Sequence, residues 1–395
     1  MQGANETIMN QATNAITPFR INIPDAALDD LKRRLANTRW PDEQTVPDWS
    51  QGMPLAYTQE LCAYWCDTYD WRAREALLNA HAQFKTEIDG LGIHFIHVRS
   101  QHAQARPLLM THGWPGSVAE FQKVIAPLTD PSAHGGSAND AFHLVCPSLP
   151  GFGFSDKPRQ TGWGVERIAA AWNALMGQLD YPHYFAQGGD WGASVTTMIG
   201  LRHAGPCQGI HITMPIVAPD KSTMDSLTEQ EKRALAALQH YREWDSGYST
   251  QQATRPQTLA YGLADSPVGQ AAWIIEKFWS WMDCKGHPEN VLTRDELLDN
   301  VMLYWLNNAA ASSARIYWES FNKRNSEPVK LPSGISMFPK EIFQTSKRWA
   351  QKRFTDLRYW NELEQGGHFA ALEQPEAFVR EVRACFKMMR ELPGP

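Results

Sequence analysis

The spacing of apolar residues changes several times along the chain, and the changes divide it. From residue 18 to 90 the period is helical. Ile23-Pro24-Asp25-Ala26-Ala27-Leu28 sets a proline ahead of an acidic first turn, and Leu28, Leu31 and Leu35 continue on one face. A second helical stretch is predicted from Thr58 to Phe84. The period then shortens. Ile93-His94-Phe95-Ile96-His97-Val98 alternates as a strand does, while Pro107-Leu108-Leu109-Met110 and Phe142-His143-Leu144-Val145 read as short buried strands. Strand, glycine-rich turn and helix succeed one another to about Pro219, the pattern of a mostly parallel sheet flanked by helices. From Ser222 to about Lys330 the texture is helical again, with aromatics dense over Trp273 to Trp281 and Asn300 to Trp318. Strands over Gly334 to Phe338 and Leu357 to Trp360, and a helix from Pro375 to Arg390, close the chain. Residues 131–140 read as a flexible surface loop.

The predicted architecture is an α/β core with a helical insert, preceded by a helical N-terminal extension. Its segments are 1–92 (N-terminal helical region), 93–220 (first part of the core), 221–330 (helical cap) and 331–395 (second part of the core).

Composition narrows the class. Hydrophobic residues make up 43% of the 395, enough for a large core, and 16 Trp, 11 Tyr and 16 Phe suit a wide apolar pocket even with most of them in the core. A net charge of -6 without any basic block excludes nucleic acid as a partner. Of six cysteines only Cys62 and Cys66 lie close, and no histidine pair completes a metal set around them. Reduced, buried thiols are expected, with no metal and no cofactor. Met1 to Thr17 is polar and lacks the apolar core of a signal peptide. No run of ~20 apolar residues exists to cross a membrane. The expectation is a soluble cytoplasmic protein with no membrane partner.

The chemistry concentrates at Gly188-Gly189-Asp190-Trp191-Gly192, between the strand-like Tyr184-Phe185-Ala186 and a helical run from Ala193 to Leu201. Small residues on both sides of Asp190 allow a sharp strand-to-helix turn that exposes the central side chain, the form of a nucleophile elbow. A carboxylate with an ordinary pKa near ~4 is ionised at neutral pH. It suits displacement at a saturated carbon, which leaves an alkyl ester on the enzyme. After the strand ending at Met110, the turn His112-Gly113-Trp114-Pro115-Gly116-Ser117 stands where an oxyanion hole draws one backbone N–H. The two donors would be the amides of Trp114 and Trp191. The next loop, Pro147 to Ser155, supports the same architecture without a catalytic role.

An ester on Asp190 must be released by water, and a neutral imidazole is suited to activate it. His368, in Gly366-Gly367-His368-Phe369 after the last strand, stands where that base belongs, with Glu373 and Pro375 opening a helix behind it. An acid should fix the imidazole tautomer. Glu341 follows the strand Gly334 to Phe338, and Asp220 and Asp356 occupy alternative positions. Position alone leaves the three open.

Together these motifs resemble the epoxide hydrolase family that includes microsomal, juvenile-hormone and fungal enzymes, over nearly the whole chain. Pro18-Phe19-Arg20-Ile21 through Leu35, with Thr38-Arg39-Trp40-Pro41, is similar to that family's N-terminal region. Ala264-Asp265-Ser266-Pro267-Val268-Gly269 and Asn300-Val301-Met302-Leu303-Tyr304-Trp305 match in the cap. The resemblance implies an α/β-hydrolase fold, an epoxide and water as reactants, and a homodimer as the form relatives suggest. It implies Glu341, in Phe338-Pro339-Lys340-Glu341, as the acid. It also implies Tyr248 and Tyr317 as the cap tyrosines that bind the epoxide oxygen. Spacing alone does not separate those two from Tyr241, Tyr261 and Tyr304. The polar N-terminus departs from microsomal members, which carry an anchor there.

Two other readings compete. A haloalkane dehalogenase would use the same aspartate but needs N–H donors around a halide rather than phenols at an oxygen. A non-catalytic binding protein would not need the full set of nucleophile, acid, base and oxyanion turn.

Overall fold

The computed structural model describes residues 15–323 and 325–391, so most of the polar segment Met1 to Thr17 lies outside the described residues. Nine strands form one sheet: β1 (Thr17–Phe19), β2 (Gln83–Ile88), β3 (Leu91–Val98), β4 (Arg106–Thr111), β5 (Phe142–Pro147), β6 (Tyr184–Gly188), β7 (Cys207–Ile212), β8 (Ser333–Met337) and β9 (Leu357–Glu362). Their order is β1-β2-β3-β5-β4-β6-β7-β8-β9. Pairing is antiparallel from β1 across to β5 and parallel from β5 to β9. The inner strands β4, β5 and β6 are apolar on both faces because helices cover both, as parallel sheets require.

The N-terminal region is less helical than its spacing predicts. Helices Asp25–Ala36, Leu55–Asp67 and Trp71–Leu78 form, but β1 and β2 add an antiparallel edge to the sheet. The second helix ends at Asp67, seventeen residues earlier than a continuous stretch to Phe84 demands, and Asp70 caps a new helix by accepting from Arg72 and Ala73 amides. Residues 83–88 then alternate polar and less polar side chains and turn back into β3 through Asp89-Gly90, a hairpin signal. Residues 131–140 lie mostly exposed at the surface, as expected, and include two short turns of 3-10 helix, Pro131–His134 and Ala138–Asp140.

Between β7 and β8 the chain leaves the sheet for a block of helices, from Glu229–His240 to Ala310–Ser320. The sheet positions the chemistry by its order. β4 neighbours β6 in parallel with Thr111 opposite Gly188, so the loops after both strands emerge side by side where strand order reverses. In open α/β sheets ligands bind at such a switch point. β8 and β9 end on the same side, and the bridge between Lys340 and Gly367 ties the loops that follow them.

Candidate active site

At the end of β6, Gly189 leads into the helix Asp190–Arg202, and Asp190 sits at φ 50°. Left-handed backbone costs a non-glycine residue about 1–2 kcal/mol, least for Asp and Asn. The strained turn lifts the carboxylate off the strand end and holds it at the helix N-terminus, whose dipole favours negative charge. Packing enforces the turn: a Cβ on Gly192 would lie 1.9 Å from the carbonyl oxygen of Thr111. Asp190 is buried.

Two groups approach its oxygens separately. The backbone N–H of Trp114 donates to Oδ1 at 2.8 Å, and Nε2 of His368 lies 3.4 Å from Oδ2. Nδ1 of His368 meets Oε1 of Glu341 at 2.7 Å, and that same oxygen accepts from the Ile342 amide. The backbone N–H of His368 donates to the carbonyl of Trp281. Burial works against the charged imidazole, but the Glu341 charge and then the Asp190 contacts outweigh it and hold His368 well above its ordinary pKa. The free site therefore favours the protonated form of His368 beside Asp190 and Glu341.

Asp220 and Asp356 face elsewhere. Asp220 caps a turn and pairs with Lys352, and Asp356 pairs with Arg358. Glu341 is the acid the fold brings to His368.

Tyr248, on helix Gly247–Thr254, and Tyr317, on helix Ala310–Ser320, meet above the Trp114 turn with ring centroids 5.7 Å apart. Trp114 stacks on Tyr248 (5.0 Å, 9°) and stands perpendicular to Tyr317 (5.8 Å, 90°). Both phenols are held well above their usual pKa, first by burial and also by the nearby Asp190 charge, so both keep their protons. The Tyr317 hydroxyl is buried without a protein hydrogen-bond partner, while Tyr241 lies 3.5 Å from Tyr248 and 2.8 Å from Ser249. Tyr261 is 70% exposed, and Tyr304 is committed to the carbonyl of Gly116 at 2.7 Å. The Trp191 ring packs edge-on against Tyr317 at 4.8 Å, but its amide makes no hydrogen bond to the Asp190 carboxylate.

Several residues at the site were given no role by sequence. Asn300 donates to the carbonyl of Pro115 and accepts from the Ser117 hydroxyl, each at 2.7 Å, and Tyr304 lies one helical turn further along the same helix, Arg294–Trp305. Their spacing of four within the family-like segment was the available signal. His112 stays neutral beneath the turn: burial lowers it to about 4, while its Nδ1–H donates to the Gly113 carbonyl and its Nε2 accepts from Leu149. Burial raises Glu120 to about 8 and Glu373 to about 7; Glu373 accepts from the amides of Asp283 and Phe369 behind His368.

Comparison with known proteins shows the family and the fold. Residues 16–121 match the family described as epoxide hydrolase N terminus, and residues 106–261 the alpha/beta hydrolase fold. A Stigmatella aurantiaca protein assigned to the epoxide hydrolases is 57% identical over 376 residues, covering 95% of this chain and 86% of its own. Epoxide hydrolase 1 of Sus scrofa is 34% identical, covering 95% and 90%. The crystal structure of juvenile hormone epoxide hydrolase from the silkworm Bombyx mori superposes with a TM-score of 0.90 at 30% identity, covering 97% of this chain and 96% of that one. Among the described residues no helix is long and apolar enough to cross a membrane.

Proposed function

The chain belongs to the epoxide hydrolases of the α/β-hydrolase fold, and from that premise we propose that it opens its substrate through a covalent ester on Asp190. The observation that carries this reading is the division of labour at the carboxylate, with Oδ1 on the Trp114 amide and Oδ2 turned toward His368. Oδ2 attacks a ring carbon, the C–O bond of the epoxide breaks, and its electron pair stays on oxygen. Tyr248 and Tyr317 hold that oxygen and supply its proton, which their raised pKa values leave available at neutral pH.

Ester formation removes the Asp190 charge, one of the groups holding the imidazolium proton in place. The pKa of His368 falls, and the proton it sheds balances the one the tyrosines gave. The neutral ring, oriented by Glu341, takes a proton from water as the oxygen of that water attacks Cγ of Asp190. The Trp114 amide carries the charge building on Oδ1, joined by the Trp191 amide as the tetrahedral centre forms. As the Cγ–Oδ2 bond breaks, the second proton of the water passes to Oδ2, which releases a vicinal diol that keeps Oδ2 and restores the Asp190 carboxylate.

The aromatic wall of Trp114, Trp191 and Trp281 favours an apolar or aryl substituent on the epoxide. We place the enzyme in the cytoplasm as a homodimer, which sedimentation of the purified protein tests. A single turnover in isotopically labelled water tests the chemistry. The label should enter the Asp190 carboxylate, and label found only in the diol would sink the covalent route.

A further inference from the structure

Lys277 is the most buried cation among the described residues, and the proposed chemistry leaves it unused. It lies on the helix Pro267–Trp281 with its side chain 8% exposed. Its ammonium meets Oδ1 of Asp245 and Oε2 of Glu276, each at 2.7 Å. Asp245 ends the widened helical turn Tyr241–Asp245, three residues before Tyr248. Its other oxygen accepts from the indole N–H of Trp281, one helical turn beyond Lys277. Burial raises the pKa of Glu276 against the pull of the Lys277 charge.

A desolvated ion pair seldom repays its cost through stability alone. This one has a particular neighbour: the ammonium lies over the ring of Tyr248, 4.9 Å from its centroid. A cation there is attracted to the ring face, and it favours negative charge developing at the phenol oxygen. Trp281 extends the brace to the other half of the site. Its ring lies 5.2 Å from Tyr248 and 4.9 Å from His368, and its carbonyl takes the His368 amide.

Building on the covalent reading above, we propose that Lys277 is a positioning residue for ring opening. With Asp245 it fixes the plane of Tyr248 and sets a positive charge beside the phenol while the epoxide oxygen takes up negative charge. The base is reached only indirectly, through Trp281, so ester hydrolysis depends on Lys277 much less.

The indoles of Trp114, Trp191 and Trp281 around the site give a fluorescence signal for both steps in stopped flow, with styrene oxide as the probe. Lys277→Met should slow ester formation at saturation by tenfold or more and leave ester breakdown within threefold of the parent. Because the single change strands a buried carboxylate, Lys277→Met/Asp245→Asn is measured beside it. The double variant removes both charges, keeps an acceptor for Trp281, and should show the same loss. Lys277→Arg, which keeps the charge, should regain most of the lost rate. Ester formation within twofold of the parent in both methionine variants would overturn the proposal. So would equal slowing of the two steps, or an arginine no faster than methionine. Acid-quenched mass spectrometry of the unmodified enzyme reads the underlying chemistry separately: absence of an ester there would remove the covalent reading itself.

Discussion

The backbone N–H of Trp114 donates to Oδ1 of Asp190 at 2.8 Å, so a donor for the oxyanion of the proposed ester hydrolysis already rests on the proposed nucleophile. The contact depends on glycine beside it. A Cβ on Gly113 would lie 2.1 Å from Oδ1, whereas one on Gly189 would meet only the Thr213 hydroxyl, at 2.8 Å. Gly113→Ala should therefore cut kcat/KM by at least a hundredfold, a loss of about 2.7 kcal/mol in transition-state stabilisation. Gly189→Ala, which asks only a side-chain hydroxyl to move, should cost far less. Steady-state kinetics on the two variants decides this.

Tyr317→Phe separates function from stability. Its hydroxyl is buried and unpartnered, a state that costs about 1–3 kcal/mol in a folded protein. Removing it should slow ester formation at least tenfold while leaving stability equal or higher, read as the urea midpoint. Loss of both together would show that the hydroxyl stabilises the free enzyme.

Glu341→Gln removes the largest contribution raising the His368 pKa. The imidazole should titrate closer to ~6.5, followed by nitrogen NMR. Ester breakdown should slow by ~100-fold or more, and the ester should accumulate. The linkage has a definite sign. With its folded pKa raised, His368 contributes stability that is full below ~6.5 and is lost as pH rises toward the folded pKa. That downward slope should flatten in the variant, measured by denaturation at pH 6 and above.

Glu120 gives a second pH effect. Its side chain folds over Gly116, where a Cβ would lie 1.5 Å from Oε1, and burial raises its pKa to about 8. An unfolded glutamate ionises near ~4.3, so between that value and about 8 the folded state holds a proton the unfolded state has released. Stability therefore falls as pH rises through this window. Glu120→Gln should lose less stability than the parent between pH 5 and pH 8, by about 1 kcal/mol or more.

The parts of the site held by local turns were legible in the chain. Asp190 is announced by small residues on both sides and a change of period, and His368 by its glycine-flanked loop after the last strand. What sequence could not rank depends on distant segments meeting. Glu341, Asp220 and Asp356 differ only in what faces them, and Asp220 turns out to face Lys352. Tyr248 and Tyr304 are both buried tyrosines on cap helices, yet one stacks on Trp114 and the other spends its hydroxyl on Gly116. The strand Gln83–Ile88 was missed because helical spacing before it masked a short alternation, despite the Asp89-Gly90 turn. Lys277 and Asp245 carry no local pattern, being 32 residues apart.

Asn300 and Tyr304 reach down from the cap to hold the carbonyls of Pro115 and Gly116. For anyone wishing to exchange substrate preference by transplanting helices from a relative, this sets the size of the graft. A foreign cap lacking those two side chains would bring a new roof and loosen the oxyanion turn in the same operation. The transplantable unit is the cap together with residues 114–117.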